Sequence, residues 1–155
     1  MASKKEIYAG KEAVIADTVS LRNLEPGQQY TLKGTLADPE TGKILEENGR
    51  PAAVINTFTA EKQSQEIQME FPVDTARIEE RQIVVFESLY IGDVLIYTHA
   101  DPDDKGQTVS ILKKPEVSAA TGDSAGKRAE IAVLCAAILL PPAYIAARSA
   151  RKKKA

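Results

Sequence analysis

Gln82-Ile83-Val84-Val85-Phe86-Glu87-Ser88-Leu89-Tyr90-Ile91 is the stretch on which the fold turns. Its opening run Ile83-Val84-Val85-Phe86 is uninterruptedly apolar and predicts a central strand buried on both faces. Downstream, Val94–Tyr97 and Gln107–Leu112 predict two further strands. Upstream, Ile67-Gln68-Met69-Glu70-Phe71-Pro72-Val73 alternates apolar with polar most cleanly, and Ala53–Phe58 and Tyr30–Leu36 do so in shorter form. Turn signals separate them: Glu25-Pro26-Gly27, Asp38-Pro39-Glu40-Thr41-Gly42, Asn48-Gly49 and Ile91-Gly92-Asp93. No helical stripe in this region runs longer than two turns. Many short strands at regular spacing predict an all-β sandwich or barrel.

Composition narrows the function. The chain has 155 residues, 20 basic and 22 acidic, a net charge of −2 that argues against a nucleic-acid partner. The single cysteine, Cys135, rules out an intrachain disulfide framework or a cysteine-based metal site. With no tryptophan and few aromatics, the core must rest on Val, Ile and Leu. Residues 1–113 form the expected domain, which at that size buries roughly two-thirds of its unfolded surface without disulfides.

Residues 114–130 read as a flexible linker, small and polar through Ser118-Ala119-Ala120-Thr121-Gly122-Asp123-Ser124-Ala125-Gly126. Residues 131–147 carry no charge. As a helix they would extend roughly 25 Å, slightly short of a hydrocarbon core, with a kink at Pro141-Pro142. The basic cluster Arg148, Arg151, Lys152, Lys153 and Lys154 in 148–155 is what a cytoplasmic flank carries. A transmembrane segment over 131–147, with the domain outside the cell, is therefore expected. No apolar segment of signal-peptide type follows Met1.

The polar run His99-Ala100-Asp101-Pro102-Asp103-Asp104-Lys105-Gly106-Gln107-Thr108-Val109 holds the only histidine. As an EF-hand loop it fails: Lys105 occupies the fifth position, Leu112 the twelfth, and flanking helices are absent. One histidine with no available cysteine makes a poor zinc site. Taken alone, the run is an ordinary solvated turn. Glu87 is less ordinary, because a carboxylate ending an apolar strand risks burial and a raised pKa.

Several motifs occur together in order. Asp17-Thr18-Val19 precedes Leu24-Glu25-Pro26-Gly27-Gln28-Gln29-Tyr30. Lys33-Gly34-Thr35-Leu36 is followed by Thr41-Gly42. Val84-Val85-Phe86-Glu87 and then His99–Val109 complete the set. In this the chain resembles the Thr–Gln ester-bond domains of Gram-positive surface proteins, also called VaFE repeats. The resemblance implies an immunoglobulin-like sandwich of the collagen-adhesin B type. It implies an autocatalytic cross-link in which a first-strand Thr attacks a last-strand Gln and releases ammonia. By position the Gln is Gln107, and the proton-handling residues are Glu87, His99 and Asp104. Two acids sharing a proton in a dry site can serve both the hydroxyl and the leaving amine, and burial keeps out the water that would hydrolyse the ester. Such a reaction is a single-turnover maturation, not enzymatic turnover, and needs no cofactor or metal.

The family's attacking Thr lies on a strand that would precede Met1. The sandwich is therefore expected to lack its first strand and its nucleophile, and the chain to be the C-terminal part of a longer protein. Thr18, the nearest substitute, belongs to the next strand and reads as structural. The tail resembles a sortase sorting signal, with Thr121-Gly122 in place but Ser118 and Ala119 where Leu and Pro would stand. The expected role is a structural stalk module of a surface adhesin, partnered by preceding repeat domains, the membrane, sortase and peptidoglycan. A ligand-binding module of the same fold is the competing reading. Its loops should be long and rich in aromatics or Arg, and these are short and polar. A surface hydrolase built on Glu87, His99 and Asp104 would lack a positioned nucleophile.

Overall fold

A computed structural model describes residues 5–115 in full and 130–139 as backbone. Among the described residues there is no helix. Eleven strands run β1 (Glu6–Tyr8), β2 (Ala13–Arg22), β3 (Gln29–Ala37), β4 (Glu46–Glu47), β5 (Arg50–Pro51), β6 (Ala53–Thr59), β7 (Ser64–Val73), β8 (Gln82–Ile91), β9 (Val94–His99), β10 (Thr108–Leu112) and β11 (Glu130–Leu139). One sheet has the order β1-β10-β8-β3-β6, with β9 also on β8. A second has the order β11-β2-β7, and β4-β5 is a small hairpin.

β8 is the central strand of the larger sheet. Ile83, Val84 and Val85 are all buried, as an apolar run flanked on both edges requires. From Glu87 on, burial alternates. β3 covers one edge of β8, pairing from Ala37↔Val84 to Thr31↔Tyr90. Two strands share the other edge: β10 pairs Gln82–Val84, and β9 pairs Glu87–Ile91. The polar run between His99 and Thr108 bridges that change of partner.

The inner faces of the two sheets meet in one core. Leu32, Leu36, Val85, Leu89, Val109 and Ile111 come from one sheet, and Ile15, Val19, Leu21, Met69 and Phe71 from the other. Pro72 lies in β7, an edge strand, the place in a sheet where a proline is tolerated. Asn48 and Gly49 both have positive φ, 53° and 74°. That is the backbone a two-residue hairpin turn needs between Glu47 and Arg50.

Two features were not read from the sequence. β1 occupies the outer edge of β10, in parallel, with Glu6↔Ser110, Ile7↔Ile111 and Tyr8↔Leu112. And the start of the run expected as a membrane helix is strand β11, parallel to β2 from Glu130↔Val14 to Leu139↔Arg22. The physical reason is the bare edge of β2. Unpaired N–H and C=O groups there favour a strand, and Ile131, Val133 and Ile138 are β-branched. Among the described residues no helix is long and apolar enough to cross a membrane. Thr121, Gly122, residues 140–147 and the basic tail lie outside the described residues.

Candidate functional site

Glu87 faces inward from β8, in register with Gly34 on β3 and His99 on β9. Across the core, Asp17 faces inward from β2, beside Met69 of β7. Gln107 immediately precedes β10. Its backbone carbonyl accepts from Val85 N at 3.2 Å, which turns its side chain inward next to Glu87. Asp17 and Glu87 are 0% exposed and Gln107 is 1% exposed. Together with Thr75 they form the buried polar set of the described residues.

Gln107 Nε2 donates to Glu87 Oε1. Glu87 Oε2, both carboxyl oxygens of Asp17 and Gln107 Oε1 have no donor. Two buried carboxylates facing each other without a donor would be costly. One proton between them resolves this, making Glu87 a donor and Asp17 an acceptor. Burial pushes the Glu87 carboxyl up to about 9, reinforced by its hydrogen bond to Asp17 and by the Asp17 charge. Asp17 is also raised by burial, opposed by the hydrogen bond from Glu87 and by the nearby charges of Lys5 and His99. The causes acting on the two carboxyls favour Glu87 as the holder of the shared proton and Asp17 as its acceptor.

This electrostatics has a measurable consequence. A carboxyl raised by folding binds its proton in the folded state and loses it in the unfolded one. The Glu87 contribution to stability is then fully present below the ordinary glutamate value of 4.5 and is lost as pH rises toward about 9. One proton contributes a slope of at most about 1.4 kcal/mol per pH unit. Tm is expected to fall across that window in the wild type and to fall less steeply in Glu87→Gln. Equal slopes would contradict the shared-proton assignment.

His99 and Asp104 lie at the rim. His99 Nε2 is 3.2 Å from Asp104 Oδ2, with side chains 24% and 28% exposed. Asp104 organises the loop before Gln107. Its Oδ1 accepts from Gly106 N at 2.7 Å, and its backbone carbonyl accepts from Gln107 N at 3.0 Å and from Thr108 Oγ1 at 2.7 Å. Asp101 Oδ1 caps Asp103 N at 2.9 Å.

The structure therefore brings Glu87 and Gln107 into direct contact and sets His99 and Asp104 beside them. It adds Asp17, which was not singled out as a site residue. A signal was available: Asp17 shares strand parity with Val19 and Leu21, so it had to point into the core. Thr18, of opposite parity, does not face Glu87. Neighbouring threonine hydroxyls are engaged elsewhere, Thr98 on Glu87 O at 3.2 Å and Thr35 on Phe86 O at 3.5 Å.

Among the described residues, an all-β fold holds one buried carboxamide, that of Gln107, against the buried carboxyl of Glu87. Residues 2–111 match the sequence profile of the T-Q ester bond containing domain, and the chain belongs to that family. Its fold is similar to that of a bacterial adhesin from Mobiluncus mulieris containing intramolecular disulfide, isopeptide and ester bond cross-links. Two crystal forms of that adhesin, in space groups P1 and P21, match with TM-scores of 0.51 and 0.50 at 12% identity. The match covers 66% of this chain, which spans 58% of the adhesin's chain. No curated protein matches.

Proposed function

We propose that this chain is a structural stalk module of a bacterial surface adhesin, in which Gln107 is the acyl half of an intramolecular Thr–Gln ester. The observation that carries the reading is the state of Gln107. Its amide nitrogen is held by Glu87, while its carbonyl oxygen is buried with no partner. A hydroxyl delivered to Gln107 Cδ meets a base in Asp17 and an acid in Glu87. The hydroxyl proton passes to Asp17, the new C–O bond forms, and Glu87 protonates Nε2, which leaves as ammonia. Asp17 then returns a proton to Glu87. His99 and Asp104 act at the rim, holding the loop that presents Gln107.

β1 supplies the direction of approach. It runs parallel to β10, so the chain leading into it comes from the Gln107 end of β10. A Thr-bearing strand continuing β1 upstream would pass beside Gln107, which fits an immunoglobulin-like sandwich of the collagen-adhesin B type tied through its terminal strands. Such a tie would stop force from unzipping the sheet. Display outside the cell, retention through 131–147 and sortase action at Thr121-Gly122 belong to the same reading. Anchoring would require β11 to leave β2, because a bilayer accepts the run only as a helix.

The test adds a peptide carrying a Thr-bearing strand to the full chain and follows intact mass. The expected product is an adduct lighter than the sum by one ammonia, with the junction at Gln107. A peptide that binds without reacting would defeat the cross-link reading.

A further inference from the structure

We propose that Lys5 is a second nucleophile for Gln107, able to join the start of β1 to β10 through a Lys–Gln isopeptide bond. The inference rests on the reading of Gln107 as an activated acyl group and extends it to an amine of this chain. Ser110 N donates to Lys5 O at 2.8 Å, which continues the parallel ladder and sets Lys5 opposite Val109. Ile7 and Ile111, paired on this ladder, are both buried. By alternation Lys5, Val109 and Gln107 turn to that same inner face. Adjacent strands about 4.8 Å apart with a rise of about 3.3 Å per residue put the Lys5 and Gln107 backbones about 8 Å apart. Their two side chains together can cross that gap. The Lys5 side chain does run toward the site: its Nζ donates to the carbonyl of Gly106, the residue preceding Gln107. Its charge also acts on Asp17. The amine is thus held at the rim, one residue from the carboxamide, while the base, the carboxamide and the acid lie buried behind it.

The chemistry balances without an added reagent. Asp17 takes a proton from the Lys5 ammonium, leaving a neutral amine. Nζ attacks Gln107 Cδ, forming the C–N bond, and Glu87 gives its proton to Nε2. The Cδ–Nε2 bond breaks and ammonia leaves. The remaining extra proton on Nζ returns to Glu87, and the departing ammonia takes the proton held by Asp17. A simple ion pair between Lys5 and Asp17 would use the same geometry but change no covalent bond, so mass separates the two.

The experiment follows the intact mass of the full wild-type chain with no peptide added. The expected result is loss of one ammonia, resistance of the product to alkaline hydroxylamine, and a fragment spectrum joining Lys5 to Gln107. Lys5→Arg keeps the charge and should abolish the loss, with circular dichroism checking its fold. Ammonia loss undiminished in Lys5→Arg, or a product that hydroxylamine cleaves to a hydroxamate at Gln107, would overturn the proposal. If the wild-type chain alone never loses ammonia yet still adds the Thr peptide, the isopeptide is refuted and the ester reading stands. If neither reaction occurs, both fall.

Discussion

Glu87→Gln is expected to slow ester formation at Gln107 by about 10²–10⁴-fold, the range contributed by a positioned general acid. The substitution is nearly isosteric. Its side-chain oxygen can still accept from Gln107 Nε2, so the carboxamide should remain in place. What disappears is the proton that converts an amide nitrogen into ammonia. Asp17→Asn should have a comparable effect for the opposite reason, because it removes the acceptor for the hydroxyl proton. The measurement is the time course of intact mass after addition of the Thr-bearing peptide, at matched peptide occupancy. A Glu87→Gln rate equal to wild type would move the chemistry away from the buried pair and toward His99 and Asp104 at the rim.

Gly34→Ala is expected to destabilise the domain by about 1–3 kcal/mol, the usual cost of overpacking a filled core. A Cβ built on Gly34 would lie 2.5 Å from Phe71 Cζ and 2.9 Å from Met69 Cε. Phe71 and Met69 are almost fully buried, so neither can retreat into solvent. For a domain of this size the cost corresponds to a fall in Tm of roughly 5–20 °C. Gly34 is in register with Glu87, and Met69 with Asp17. Forcing the sheets apart here therefore also separates the two carboxyls, and a flattened pH profile should accompany the lower Tm. An unchanged Tm would show that the facing side chains have room that the structure does not show.

The strands that alternate cleanly were legible from sequence because one face of each meets the core and the other meets water. Tyr30–Leu36 became Gln29–Ala37, and Ile67–Val73 lies within Ser64–Val73, all but its first three residues. Gln82–Ile91 kept its bounds. β2 was harder to read. Ala13-Val14-Ile15-Ala16 does not alternate, and Asp17 interrupts its apolar character, although all five residues are buried. β11 could not be placed from the sequence for a related reason. An uncharged run has no periodicity to decide its conformation, and only the open edge of β2 supplied a pairing partner.

Glu87 and Gln107 were both named from the sequence, through the order of motifs that carries the family resemblance, and the structure places them in contact. The sequence by itself determined the alternating strands, the turns between them and these two chemical groups. Only the tertiary structure decided that Asp17 belongs with them. A carboxylate on β2 has no sequence relation to one on β8, separated by most of the domain. The packing of the two sheets makes them neighbours, and the loss of water between them makes one an acid and the other a base.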